Sequence, residues 1–260
     1  MFLTTKISSE SSRYIIENQF MKAVAIFVIF GVAISISACD FLRSSTDSET
    51  FEFSFKDEDH NFEAFYTGYN VGWKENMEFD TGYRYLPEPL DTTQKGHFIA
   101  ATNRSDDVKM LFRKQVEGLE PNTEYSARFS VEFATNVPFG CAGIGGAPGE
   151  AVRVIASASS QKPEAFVEDD YYWLNLQYQN ENPARWYNSR IMGDIANSVS
   201  CEEAEGSLTD YEIKEVSSET GHDTVVADDQ GRTWLMFGTR SGFEGRTALF
   251  YTNFEATLSH

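Results

Sequence analysis

The chain has 260 residues, 41% hydrophobic and 14% aromatic, and its 21 basic and 40 acidic side chains give a formal charge of −19. Such a surface repels phosphate backbones, so nucleic acid is not an expected partner, and it keeps the folded body off an anionic bilayer. The length suits one sizeable core, and neither an internal repeat nor a second linker divides it.

Residues 1–20 carry Glu10 and Glu17 and read as an extension outside the translated or ordered protein, with Met21-Lys22 the more natural start. Ala23–Ala38 is sixteen residues without a charge, preceded by Lys22 and ending in small residues. A membrane span needs roughly 20 apolar residues, so residues 21–38 read as a secretory signal instead. The order Ile36-Ser37-Ala38-Cys39 resembles the lipobox of bacterial lipoproteins. That resemblance implies lipidation of the Cys39 sulfur, cleavage before it and acylation of the new N-terminus. It places the protein in the cell envelope, facing the periplasm or the exterior, with lipid its only contact with the bilayer. Asp40 resembles the inner-membrane retention residue of enterobacterial lipoproteins. The mature chain would have 222 residues and a charge of −20.

Residues 39–50 read as a Ser- and Thr-rich tether and 51–260 as one domain. Phe51, Phe53 and Phe55 alternate with polar residues, which predicts a half-buried strand. Strands are likewise expected over Lys109–Val116, Tyr125–Phe133, Val152–Ala156, Tyr211–Val216, Thr233–Thr239 and Ala248–Leu258, and less cleanly over Trp173–Gln177. Long loops are expected at Asp57–Thr93, Pro138–Glu150 and Ser159–Asp170. No window sustains a 3.6-residue period, and helix is expected only in short pieces, as around Asp194–Ser198. The pattern predicts an all-β, antiparallel sandwich, a jelly roll with long loops and little helix.

With Cys39 assigned to lipid, Cys141 and Cys201 are an even pair in an oxidising compartment, and a disulfide is expected. A Cys/His metal site is the rival, but His60, His97, His222 and His260 are scattered and show no ligand spacing.

The run Gly118-Leu119-Glu120-Pro121-Asn122-Thr123-Glu124-Tyr125, leading into an alternating strand, resembles the turn and strand of carbohydrate-binding-module-like jelly rolls. Leu235–Leu258 is similar to their closing hairpin. Phe250-Tyr251-Thr252-Asn253 departs from the family's Tyr-x-Asp pattern, which counts against a shared structural calcium. The whole mature chain also resembles a group of bacterial lipoproteins without assigned activity.

Three groups of residues are candidates for a site. Gly140–Glu150 holds five glycines in eleven residues, so its backbone can approach a ligand closely, with Glu150 and Arg153 at its base. It lacks the Gly-Lys-Ser/Thr ending and the following helix of a phosphate loop, and a stapled crossover is the plainer reading. Aromatics near polar side chains, Tyr69 and Trp73 in one region and Trp186 with Arg190 in another, suit stacking on sugar rings. Core filling is their plainer reading. Acidic clusters at Asp57–Asp59, Asp106-Asp107, Glu168–Asp170, Glu202–Glu205 and Asp228-Asp229 offer oxygen ligands for a structural Ca²⁺, though none has EF-hand spacing.

No Gly-x-Ser-x-Gly elbow, carboxylate strand motif or patterned histidine assigns catalysis. The sequence therefore predicts a lipid-anchored envelope binding protein whose ligand is a glycan, not an enzyme and with no cofactor. A polysaccharide hydrolase or lyase, whose Tyr, Arg and Lys need no local spacing, is the first alternative. A structural lipoprotein that binds another envelope protein is the second.

Overall fold

The computed structural model describes residues 47–104, 107–176, 191–218 and 223–260. Cys39 and the segment read as a signal and lipobox lie outside them, as do Trp186, Arg190 and His222. Fifteen strands are described, β1 (Ser48–Ser54), β2 (Glu63–Thr67), β3 (Tyr69–Asn70), β4 (Asp80–Tyr85), β5 (Lys95–Thr102), β6 (Lys109–Glu117), β7 (Glu124–Thr135), β8 (Val152–Ser159), β9 (Ala165–Glu168), β10 (Tyr171–Leu174), β11 (Ile191–Asp194), β12 (Glu212–Ser217), β13 (Asp223–Val226), β14 (Arg232–Ser241) and β15 (Arg246–Ser259). Val71–Met77 forms a short 3-10 helix capped by the Asn70 side chain. Among the described residues no helix is long and apolar enough to cross a membrane.

The chain is an all-β sandwich in which every pairing between named strands is antiparallel. One sheet runs β12-β7-β15-β5-β4 and the other β11-β8-β14-β6-β2. The central strands interleave as β5-β15-β7-β12 facing β6-β14-β8-β11, the strand order of a jelly roll. β1 also pairs with β15 and β13 with β7. Because β15 is fourteen residues long, β5 covers its first half and β1 its second, along the same edge. A smaller sheet, β3-β10-β9, completes the strands.

Alternation explains the inner faces. Tyr125, Ala127, Phe129, Val131 and Phe133 of β7 are buried while Glu124, Ser126 and Arg128 are exposed. Phe237 sits at the centre of the core, with ring centroids 4.4 Å from Phe254, 5.0 Å from Tyr251 and 5.4 Å from Phe62. Parts of the outer faces are covered too. Leu111, Ile155 and Met236 on one sheet are buried with Leu174 and Leu176, whereas Phe98, Ala100, Ala134 and Phe250 on the other cluster with Leu86, Leu90 and Tyr211.

Several expectations are corrected. β1 begins at Ser48, so the tether read to Thr50 ends by Asp47; the first strand residues are exposed and carry no alternation signal. The region read as a loop over Asp57–Thr93 contains β2, β3, β4 and the 3-10 helix, and Ser159–Asp170 contains β9. β5 was not anticipated because Gly96–Thr102 are all buried, which erases the two-residue period. Asp194–Ser198 is not helical. Asp194 ends β11 and its carboxylate takes the Ala196 N–H at 3.1 Å, while Asn197 does the same for Val199 at 3.0 Å. These side chains compete with a helix for the backbone donors. β14 and β15 do not pair as a hairpin; the turn at Ser241–Gly245 carries the chain from one sheet to the other.

His97 is buried on β5 among Phe55, Phe62 and Phe112. Its Nε2 lies 2.7 Å from the Asp59 carbonyl oxygen. Burial holds the imidazole below its ordinary pKa, with Asp59 opposing only in part. An unfolded histidine takes up a proton near pH 6.5, before the folded one does. The stability His97 contributes is therefore complete above about pH 6.5 and falls as the pH drops towards the folded value, by up to about 1.4 kcal/mol per pH unit. Chemical denaturation at pH 7.5 and 5.5 should show a larger loss for the wild type than for His97→Gln.

Candidate functional site

The second half of β15 changes the outer face of its sheet. A bulge between Tyr251 and Asn253 resets the side-chain parity. Before it, Phe250 points outward into the cluster under Leu86; after it, the outward positions are Asn253 and Glu255. Beside them β1 presents Glu52 and Ser54, β7 presents Ser130 and Glu132, and β12 presents Glu215. With Lys56 they line an open groove of about 380 Å³ across four strands.

The register places these groups in two rows. Glu52 faces Glu255, which faces Ser130 on its other side. Ser54 faces Asn253, which faces Glu132, which faces Glu215. Lys56 Nζ pairs with Glu132 Oε1 at 2.9 Å, and the buried Thr252 hydroxyl, on the extra residue of the bulge, donates to the same oxygen at 2.8 Å. Ser130 donates to Glu215 at 2.6 Å. Among the described residues the carboxylates of Glu52 and Glu255 have no hydrogen-bond or ion-pair partner, although the two residues stand directly opposite one another. Like charges in that relation destabilise a sheet.

Chemically, the groove offers carboxylate acceptors, an amide with both donors and an acceptor, hydroxyls and one ammonium. Four carboxylates against one lysine give it a negative field, which disfavours anionic ligands. Sequence reasoning missed this site because each member is an ordinary outward-facing polar residue within its own strand. The one local signal was the break in alternation at Tyr251-Thr252-Asn253.

The expected site residues fall elsewhere. Cys141 and Cys201 form the anticipated disulfide, with Cα atoms 5.1 Å apart. The ends of its loop are further held by Phe139 N–H to the Val199 carbonyl at 2.9 Å and Cys201 N–H to the Phe139 carbonyl at 2.8 Å. Glu150 serves this loop, its Oε1 accepting the Gly140 N–H at 2.6 Å, while its Oε2 is buried without a partner among the described residues. Arg153 pairs instead with Asp194, at 3.7 Å, and Lys214 shares that carboxylate at 2.9 Å. Tyr69 is not an exposed platform. It is 3% exposed, stacked on Tyr172 with centroids 4.6 Å apart, and burial pushes its hydroxyl up to about 12. Trp73 on the 3-10 helix is 43% exposed and remains available to solvent.

The acidic clusters read for calcium are mostly engaged as caps and ion pairs. Asp228 holds Arg232 and two backbone N–H groups, Glu203 caps Ser200, and Asp107 holds Lys109 and Arg240. None of them gathers three ligating groups among the described residues.

No family model matches this chain, and no curated protein does. Among solved structures, the enzymatically active domain of tailspike protein 4 from bacteriophage CBA120 is similar at 12% identity and a TM-score of 0.29, over 77% of this chain and 20% of that one. The K1 cleaved adhesin domain of Lys-gingipain from Porphyromonas gingivalis is similar at 9% identity and a TM-score of 0.32, over 82% and 98%. A family GH115 4-O-methyl-alpha-glucuronidase with specificity for decorated arabinogalactans is similar at 10% identity and a TM-score of 0.27, over 72% and 17%. Likeness this slight carries nothing about ligand or activity for this chain.

Proposed function

We propose that the protein is a lipoprotein, anchored to a bacterial envelope through Cys39, that binds a glycan in the groove across β1, β15, β7 and β12. The anchor reading is supported by the charge-free run before Ile36-Ser37-Ala38-Cys39. Mass spectrometry of membrane-extracted protein should find a chain beginning at acylated Cys39; a chain beginning upstream contradicts the anchor.

The binding reading is carried by the facing pair Glu52 and Glu255. The fold gains nothing from two unpartnered carboxylates in contact positions, whereas a polyhydroxylated ligand supplies the donors they lack. Asn253 and Lys56 add donors of their own. The groove's charge makes neutral and amino sugars the favoured class, with uronate and sulfated glycans repelled.

Glu255→Gln separates function from stability. Removing the like-charge pair should stabilise the fold by about 0.2–1 kcal/mol in chemical denaturation. On a glycan array the same variant should bind at least tenfold more weakly than the wild type. A wild type that binds no glycan, or a variant that binds as well as the wild type, refutes the assignment of the groove.

A further inference from the structure

A second group of side chains lies where β1 begins and β15 ends. Asp47, Glu120 and His260 each bring a ligating atom within 4.8 Å of the other two. They come from three separate parts of the chain: the residue before β1, the turn between β6 and β7, and the residue after β15. Among the described residues no other group of three His, Cys, Asp or Glu side chains meets in this way.

The fold fixes their positions independently of one another. Ser48 faces Ser259 in the ladder, and the His260 N–H extends it by donating to the Asp47 carbonyl at 3.1 Å. His260 continues the inward series Phe254, Ala256 and Leu258, so its ring projects over the open end of the core. There it meets the buried Tyr125 edge to face, with centroids 5.0 Å apart. The Tyr125 hydroxyl accepts the Glu120 N–H at 2.8 Å, which brings the Glu120 carboxylate to 3.9 Å from His260 Nε2.

We infer that Asp47, Glu120 and His260 form a binding site for a zinc-class divalent cation that clasps the end of the sandwich. One imidazole and two carboxylates match the mixed nitrogen and oxygen set of zinc, whereas calcium and magnesium take oxygen ligands. Tetrahedral coordination at about 2.0–2.1 Å sets ligand atoms about 3.4 Å apart. The Glu120 side chain is 64% exposed and the His260 ring, seated on Tyr125, is 28% exposed, so rotation of the carboxylate side chains towards the ring closes the remaining gap without moving the core. The fourth position is left to water. The ion would join the start of β1 and the end of β15, at one end of their ladder, to the connection between the two sheets.

The test is calorimetric titration of the full chain, in detergent, with ZnCl₂ and with CaCl₂. The expected result is one Zn²⁺ per chain, a rise in Tm with zinc and no comparable effect of calcium. His260→Ala and Glu120→Gln should each weaken zinc binding at least tenfold, with near-UV circular dichroism confirming that the variants fold. Glu52→Gln/Glu255→Gln in the groove should leave it unchanged, which separates this site from the glycan reading. No zinc uptake, uptake by His260→Ala and Glu120→Gln equal to that of the wild type, or loss only in the groove variant would each overturn the inference.

Discussion

Asp107→Ala should cost about 3–5 kcal/mol, the range for removing one partner of a buried ion pair. Lys109 is fully buried on β6, and its Nζ lies 2.6 Å from the Asp107 carboxylate. The other oxygen of that carboxylate takes Arg240 Nε at 2.5 Å, so one anion serves two cations. Burial pulls the Lys109 pKa down and Asp107 works against that shift. Gly68 makes room for the ammonium. A Cβ there would lie 3.1 Å from Lys109 Nζ and 2.1 Å from the Asp107 carbonyl oxygen, and its φ of +80° suits glycine alone. Without Asp107 the lysine either stays charged in an apolar setting or gives up its proton, and both cost stability. The Tm should fall by about 6–20 °C for a domain of this size. Lys109→Met is the contrasting variant. It keeps the Asp107–Arg240 pair and replaces a buried charge with an apolar chain of similar length, so it should be near neutral or stabilising. Equal losses in the two variants would mean that packing, not the uncompensated charge, sets the cost.

The second large effect is expected at the disulfide. Cys141 and Cys201 are 60 residues apart, and opening a loop of that length costs about 4 kcal/mol in the chain-entropy model. Cys141→Ser/Cys201→Ser should lower Tm by about 8–16 °C. Reduction of the wild type should reproduce the loss, and the variant should not respond to reductant. A loss under about 1 kcal/mol would mean that the unfolded chain already keeps these segments together, as the paired backbone of Phe139 with Val199 and Cys201 does in the folded one.

Much of the fold was legible because most of its longer strands alternate in sequence, even where both faces are buried, as along β8 and β14. β1, β6, β7, β8, β12, β14 and β15 all follow from alternation, and their number with little helix implied a sandwich. What failed to register has a physical cause in each case. β5 is covered on both faces, by the core and by Leu86, so its apolar residues Phe98, Ile99, Ala100 and Ala101 follow one another without alternation. β2 and β4 are short edge strands amid turn residues. Tyr69 reads as a surface ring because it falls in the stretch expected to be a long loop, yet Tyr172, more than a hundred residues away, covers it.

The sites were less legible than the fold. The cysteine pair followed from a count and an expected compartment, and the disulfide is present. The groove needs a register. Glu52 and Glu255 are two hundred residues apart, and only the β1–β15 ladder makes them neighbours. The same holds for Asp47, Glu120 and His260, whose separation hid them from any motif built on spacing. In a sandwich that interleaves distant strands, outward-facing residues acquire their chemistry from pairing, which local sequence does not encode.

The central claim is that the ligand lies on the open face of the seven-stranded sheet. It is tested most directly by residue-resolved NMR titration of the protein with the glycan selected on the array. Amide shifts should concentrate at Glu52, Ser54, Ser130, Glu132, Glu215, Asn253 and Glu255, and should need at least tenfold more glycan to develop in Glu255→Gln. Shifts centred on Gly140–Glu150 or on Trp73, with the groove silent, would contradict the claim and move binding to the loops.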